Sequence, residues 1–188
     1  MSVDGLLLAH GAGGGADHHV FLALEAALAP LPVHRMEFPY RREGRKAPDR
    51  APKLIASVVA EAEAFAARIG SSPERLVLGG RSMGGRMCSM AVAEGLPAAG
   101  LALLSYPLHP PGKADRMRVD HFADLHVPCL FVAGDRDPFG SPDEIDDHVA
   151  AIVGPVTTVW LAGQRHDPKA VTDPVVVDAV SAWLATIA

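Results

Sequence analysis

Six stretches of strand length are almost continuously hydrophobic: Gly5 to Ala9, Val33 to Phe38, Arg75 to Leu78, Leu101 to Ser105, Cys129 to Ala133 and Val156 to Leu161. They do not alternate apolar with polar positions, which is the pattern of strands covered on both faces of a parallel sheet. Between them the apolar period lengthens to that of a helix. Asp17 is placed to cap a helix running to about Ala29, with Phe21, Leu24 and Leu28 on one buried face. Ala51 to Ile69 turns Leu54, Ile55, Val58, Val59, Ala62 and Phe65 inward and Lys53, Glu61, Glu63 and Arg68 outward. Ser82 to Glu94 and Asp173 to Ile187 are the remaining predicted helices. Strands and helices in regular alternation predict an α/β fold with right-handed crossovers and helices on both faces of the sheet.

Composition narrows this without changing it. The chain has 188 residues, of which 49% are hydrophobic and 21% charged, enough for one well-cored domain and no more. No linker or internal repeat divides it, so residues 1–188 are expected to form a single domain. The balance of 17 basic against 22 acidic residues leaves a net charge of −5, which argues against neutralising a nucleic-acid backbone. Cys88 and Cys129 are too few for a disulfide framework and lack metal-ligand spacing, so both are expected as reduced thiols. The short apolar run near the N-terminus has no basic residue before it, and the longest uncharged stretch, Gly95 to Gly112, holds four prolines. Neither reads as a targeting or membrane segment. A soluble cytoplasmic protein, monomeric or homodimeric, with no membrane or nucleic-acid partner, is the expectation.

Candidate chemistry is concentrated in two glycine-rich turns. Gly80-Arg81-Ser82-Met83-Gly84 stands between a predicted strand and a predicted helix, the context in which G-x-S-x-G forms a nucleophile elbow. So tight a turn admits only glycine two residues either side of the serine, and it holds the hydroxyl above the sheet at a helix N-terminus, where developing negative charge is favoured. His10-Gly11-Ala12-Gly13-Gly14-Gly15 follows the first strand. It suits an oxyanion loop whose Ala12 N–H would act with the N–H of Met83. The same loop, continued to Ala16, also satisfies a loose dinucleotide fingerprint with Glu37 as ribose acceptor.

With these motifs, and with Phe38-Pro39-Tyr40, Tyr106-Pro107-Leu108 and the segment Gly134 to Gly140, nearly the whole sequence resembles the α/β-hydrolase superfamily. The likeness is to its small lidless members near the dienelactone-hydrolase-like branch, and most of all to the testis-expressed and histone-acetyltransferase-complex hydrolase-like group. The resemblance implies a single-domain three-layer α/β/α sandwich with a six-stranded, mainly parallel sheet ordered 2-1-3-4-5-6. It also implies a minimal core: the superfamily's first two strands are absent, and Tyr106 to His126 leaves no room for a cap. Both turns then meet at the crevice where strand order reverses.

A serine hydroxyl needs an imidazole held by a carboxylate. The chain order of the superfamily, Ser, then acid, then His, favours His166, on the loop after the last strand, with His109 and His126 in reserve. For the acid, strand alternation points Asp135 and Asp137 the same way and cannot choose between them; the resemblance favours Asp137. His10, Gly11, Tyr40, Arg41 and Arg81 are the residues assigned to substrate. Arg41 or Arg42, in a locally basic segment, and Arg81 in the elbow suggest a substrate bearing a carboxylate or phosphate. His18 and His19 beside Asp17 read as a helix start, so no metal or cofactor is expected. The resulting expectation is a serine hydrolase of ester, thioester or related acyl bonds in a small substrate. A hydrolase-like binding scaffold and a nucleotide-binding oxidoreductase are the alternatives, the second failing to explain the elbow.

Overall fold

In the computed structural model, which describes residues 3–187, successive side chains of each central strand part company across the sheet. Leu7, Leu78, Leu101, Leu103 and Phe131 enter one core, and Leu6, Leu8, Val77, Leu104, Leu130 and Val132 enter the other. The strands are β1 (Gly5–Ala9), β2 (Val33–Met36), β3 (Leu76–Arg81), β4 (Gly100–Leu104), β5 (Cys129–Gly134) and β6 (Val156–Leu161). All pairs are parallel, in the order β2-β1-β3-β4-β5-β6. β1, β3, β4 and β5 are buried on both sides, which is why they read as unbroken apolar runs. The edge strands β2 and β6 are half-buried.

Two helices, α3 (Ala51–Arg68) and α4 (Met83–Ala93), cover the first face. Leu54, Ile55, Val58, Ala62 and Phe65 of α3 supply its stripe, while Val59 is only partly buried. The other face is covered by α1 (His19–Ala27) and α6 (Asp173–Ile187), through Phe21, Leu24, Val176, Val180, Trp183 and Leu184. By length and composition alone Ala170–Ile187 could cross a membrane. In the fold Val176, Val180, Trp183 and Leu184 pack on the sheet, while Val171 and Val175 are exposed.

Several expected boundaries move. α1 begins at His19 with no side-chain cap, because Asp17 instead binds the Arg35 guanidinium at 2.6 Å. β2 stops at Met36, and Phe38 leads into a one-turn helix, α2 (Pro39–Arg42), absent from the hydrophobic pattern. Another unanticipated helix, α5 (Pro142–Val149), is started by a capping box in which Ser141 Oγ accepts the Glu144 N–H and the Glu144 carboxylate accepts the Ser141 N–H. Both cysteines are free and buried, and burial pushes each thiol up to about 12.

Candidate active site

The crevice lies at the carboxyl ends of β1 and β3, where strand order reverses. β3 ends in the elbow. Ser82 has φ 51°, a left-handed conformation that non-glycine residues avoid, and α4 begins at the next residue. That turn fits only because β1 runs alongside without side chains between: a Cβ on Gly80 or on Gly84 would be driven into the Ala9 carbonyl oxygen. A main-chain bond from the Ser82 N–H to the Leu104 carbonyl, at 2.9 Å, ties the elbow to β4.

His166 reaches the same point from the loop after β6. Its Nε2 lies 2.8 Å from Ser82 Oγ and its Nδ1 lies 2.7 Å from Asp137 Oδ2. A carboxylate only accepts, so Nδ1 carries the proton and Nε2 is left to accept from the serine hydroxyl. Asp137 is 5% exposed, and its other oxygen accepts the Phe139 N–H at 2.8 Å. The Phe139 ring stacks on the imidazole with centroids 3.8 Å apart, fixing the ring plane. Asp135 is turned away and accepts the Gly163 N–H at 2.7 Å, bracing the loop that carries His166. The two carboxylates separate because the chain leaves β5 at Gly134, so strand alternation no longer applies. Of the reserve histidines, His109 is buried and bonded to the Pro110 carbonyl, and His126 lines a depression far from Ser82, beside Pro155 and Trp183.

Around Ser82 opens a cleft of about 420 Å³, walled by Gly11, Ala12, Gly13, Met83, Pro107, Phe139 and His166, with the side chains of Arg81, Arg86 and Arg118. Ala12 and Met83 thus flank the serine, and the Met83 N–H opens α4, where helix geometry provides no intrahelical acceptor. An imidazole that accepts from a hydroxyl while donating to a buried carboxylate, beside main-chain donors, is equipped for acyl transfer.

The five residues assigned to substrate fall in different settings. His10 is buried behind the cleft; its Nδ1 donates to the Gly11 carbonyl and its Nε2 accepts the Phe38 N–H, so it ties the glycine loop to the end of β2. Burial holds it below the usual histidine range and thus neutral. Tyr40 is also buried, donating its hydroxyl to the Ala12 carbonyl at 3.0 Å. Arg41 does not line the cleft, and its basic neighbours are engaged elsewhere: Arg42 with Glu61, Arg45 with Glu43 and Asp49, Lys53 with Asp49. Arg81 reaches the cleft wall, yet it is committed to the His166 loop, with Nη2 on the His166 carbonyl at 3.0 Å and on Asp167 at 2.8 Å. Of the five, Gly11 and Arg81 line the cleft, and His10, Tyr40 and Arg41 do not. The pattern did not single out Phe139, Arg86 or Arg118. Arg86 carried a signal, since four residues past Ser82 on a helix is the same face.

The glycine loop departs from a dinucleotide fingerprint, since it does not itself open a helix: α1 starts three residues after Ala16. His18, His19 and Asp167 bring ligand atoms within 4.8 Å of one another. The Arg81 cation on Asp167 opposes a second positive charge there, and His19 is bound to Asp173 at 2.8 Å.

Comparison with known proteins agrees with this architecture. Residues 3–174 match the family described as alpha/beta hydrolase domain. The fold is similar to an alpha-beta serine hydrolase homologue from Coxiella burnetii, at 18% identity and TM-score 0.73, over 100% of this chain and 87% of that one. It is similar also to Est1E from Butyrivibrio proteoclasticus, solved with ferulic acid (15%, 0.73, 97% and 90%). A third relative is the type II thioesterase BorB of the borrelidin biosynthetic cluster (18%, 0.71, 97% and 93%). Identities this low carry the fold alone, but the family match spans most of the sequence. The chain therefore belongs to the alpha/beta hydrolase domain family.

Proposed function

We propose that the protein is a serine hydrolase that cleaves ester, thioester or related acyl bonds of small substrates, with Ser82 as nucleophile, His166 as general base and acid, and Asp137 as its orienting carboxylate. The supporting observation is the unbroken hydrogen-bonded line Ser82 Oγ, His166 Nε2, His166 Nδ1, Asp137 Oδ2, at 2.8 and 2.7 Å. Ser82 Oγ attacks the carbonyl carbon as its proton passes to His166 Nε2, and the carbonyl oxygen takes up negative charge toward the Ala12 and Met83 N–H groups. Collapse expels the leaving group, which takes the proton back from Nε2. Water then attacks the acyl-serine by the same route, returning the acid and free Ser82. The likeness to the testis-expressed and histone-acetyltransferase-complex group belongs to this reading, as does a cytoplasmic location.

A fluorophosphonate probe tests it. Labelling of Ser82, with turnover of p-nitrophenyl acetate, is expected in the native protein and absent in Ser82→Ala and His166→Ala. Asp137→Asn is expected to lose on the order of 10³–10⁴-fold in kcat, because the amide can hold the imidazole in the wrong tautomer. Folded protein without labelling or turnover would instead identify a binding scaffold.

A further inference from the structure

The cleft holds more positive charge than acyl transfer uses. Arg86 and Arg118 line it together with Ser82, Met83 and His166. Among the described residues neither guanidinium is ion-paired to a carboxylate, whereas Arg35, Arg42, Arg45 and Arg81 all are. The Nε of Arg86 is enclosed and has no hydrogen-bond partner at all. The charge of Arg86 also bears on its neighbours. Burial, followed by the charge of Arg86, depresses the Arg118 pKa, and the same two causes push His121, behind them, down to about 4. A chain of net charge −5 does not lack acidic side chains that could have compensated them. Two half-buried like charges without a counter-ion are costly, and an arriving anion would relieve that cost.

Both arginines are also mounted rigidly. Arg86 is one helical turn beyond the elbow, its N–H on the Ser82 carbonyl at 3.1 Å. Arg118 sits in the connection after β4, yet its main chain is pinned twice: its N–H donates to the Leu108 carbonyl at 2.9 Å, and its carbonyl accepts the buried Tyr106 hydroxyl at 2.7 Å. Groups held in advance lose little freedom on binding.

We propose that Arg86 and Arg118 form an oxyanion subsite that takes a carboxylate or phosphate of the substrate, set a few bonds from the carbonyl presented to Ser82. The inference deepens the acyl-hydrolase reading and rests on it. Ser82, Arg86 and Arg118 line one and the same cleft, so one small molecule can span from the serine to the two guanidinium groups. The cleft, about 420 Å³, is large enough for such a ligand. The preferred substrates are therefore monoesters or thioesters with an anionic tail, such as those of short dicarboxylic acids, rather than neutral esters. The anion preference suggested by the basic segment is thereby moved from Arg41 and Arg42 to a different pair of side chains.

Two matched pairs test this: p-nitrophenyl hemisuccinate against its neutral methyl ester, and 4-acetoxybenzoate against its methyl ester, each corrected for spontaneous hydrolysis. They place the anion on the acyl or the alcohol side. In one pair the anionic member should exceed the neutral one by ~10-fold or more in kcat/KM, mainly through KM. That ratio should shrink with added salt and approach unity in Arg86→Gln and Arg118→Gln. Ratios near unity in both pairs, with Ser82 labelled by fluorophosphonate, overturn the subsite and leave the hydrolase reading standing. Absence of labelling overturns the hydrolase reading, and calorimetry on Ser82→Ala then judges the subsite alone. Binding of succinate or of inorganic phosphate that disappears on adding Arg118→Gln supports it and tells the two anions apart; no heat from either at millimolar concentration overturns it.

Discussion

The guanidinium of Arg81 donates to the main-chain carbonyl of His166 at 3.0 Å, so the residue preceding the elbow serine holds the imidazole loop by its backbone. The loop after β6 has no strand partner here, and Arg81, 13% exposed at its side chain, is one of its few fixed anchors. Burial draws the Arg81 pKa down, and its Nε finds no acceptor, so the molecule tolerates some cost to keep this contact. Arg81→Ala should lower kcat by about 10–100-fold with a much smaller change in KM, since a displacement of about 1 Å at the base is costly. Arg81→Lys should not restore it, because the lysine ammonium ends short of the position of Nη2, the one nitrogen that meets both the His166 carbonyl and the Asp167 carboxylate. Steady-state kinetics beside the fluorophosphonate labelling rate measure this, and an unchanged kcat in Arg81→Ala would remove the positioning role.

Tyr40 performs the equivalent task for the glycine loop. Tyr40→Phe keeps the buried ring and deletes only the bond to the Ala12 carbonyl. Stability should fall by about 0.5–1.5 kcal/mol, the worth of one hydrogen bond, with a several-fold loss in kcat as Ala12 loosens. Thermal melting and turnover read the two parts separately; a lowered Tm with full kcat would reduce Tyr40 to a structural support.

Gly84→Ala should be among the most damaging single-methyl additions available. The new Cβ would meet the Ala9 carbonyl, a main-chain atom that cannot move aside, and a loss on the order of 3 kcal/mol or more follows. Gly13→Ala is the control, since a Cβ there meets nothing within 4 Å and should cost no more than about 0.5 kcal/mol. Urea midpoints for the two variants decide; similar midpoints would contradict the packing argument.

Acid should destabilise the fold before most carboxylates titrate. His121 is pushed down to about 4 from an ordinary 6.5 by burial and by Arg86, and burial lowers His10 and His18 as well. A folded pKa below the unfolded one means that the unfolded chain binds more protons between the two values. This contribution is therefore complete above about pH 6.5 and is lost progressively as pH falls toward 4. His121 Nε2 donates to Ser89 Oγ at 2.8 Å, a bond glutamine can reproduce. Urea midpoints between pH 7 and 4 should consequently fall less steeply in His121→Gln, and an identical slope would show that other groups control the effect.

What could be read from the residues alone was the part governed by uninterrupted hydrophobicity and by motifs with fixed geometry. The central strands and the elbow at Ser82 belong to that part, whereas His166 and the preference for Asp137 over Asp135 came from the superfamily resemblance, because strand alternation treats the two carboxylates alike. α5 escaped because Ile145 is its one buried residue, so no apolar period marks it, although Ser141 and Glu144 spell its cap. Asp17 looked like a cap and was claimed by Arg35 from β2, a tertiary pairing that local pattern cannot register. Arg41 and Arg42 formed the visible basic cluster, but Glu61 on α3 takes Arg42, whereas Arg118 comes from a connection without periodicity and reaches the cleft only through bonds to Leu108 and Tyr106.

The floor beneath Ser82 is bare main chain, Gly80 and Gly84 lying against Ala9, and the His166 loop rests likewise on Gly134, which lies against the Gln164 carbonyl. Such a surface offers natural variation almost nothing to alter, because any added carbon collides with peptide rather than with a yielding side chain. Diversification of what this scaffold accepts must then proceed from the rim, through residues such as Pro107, Arg118 and Phe139, while the reaction beneath stays constant.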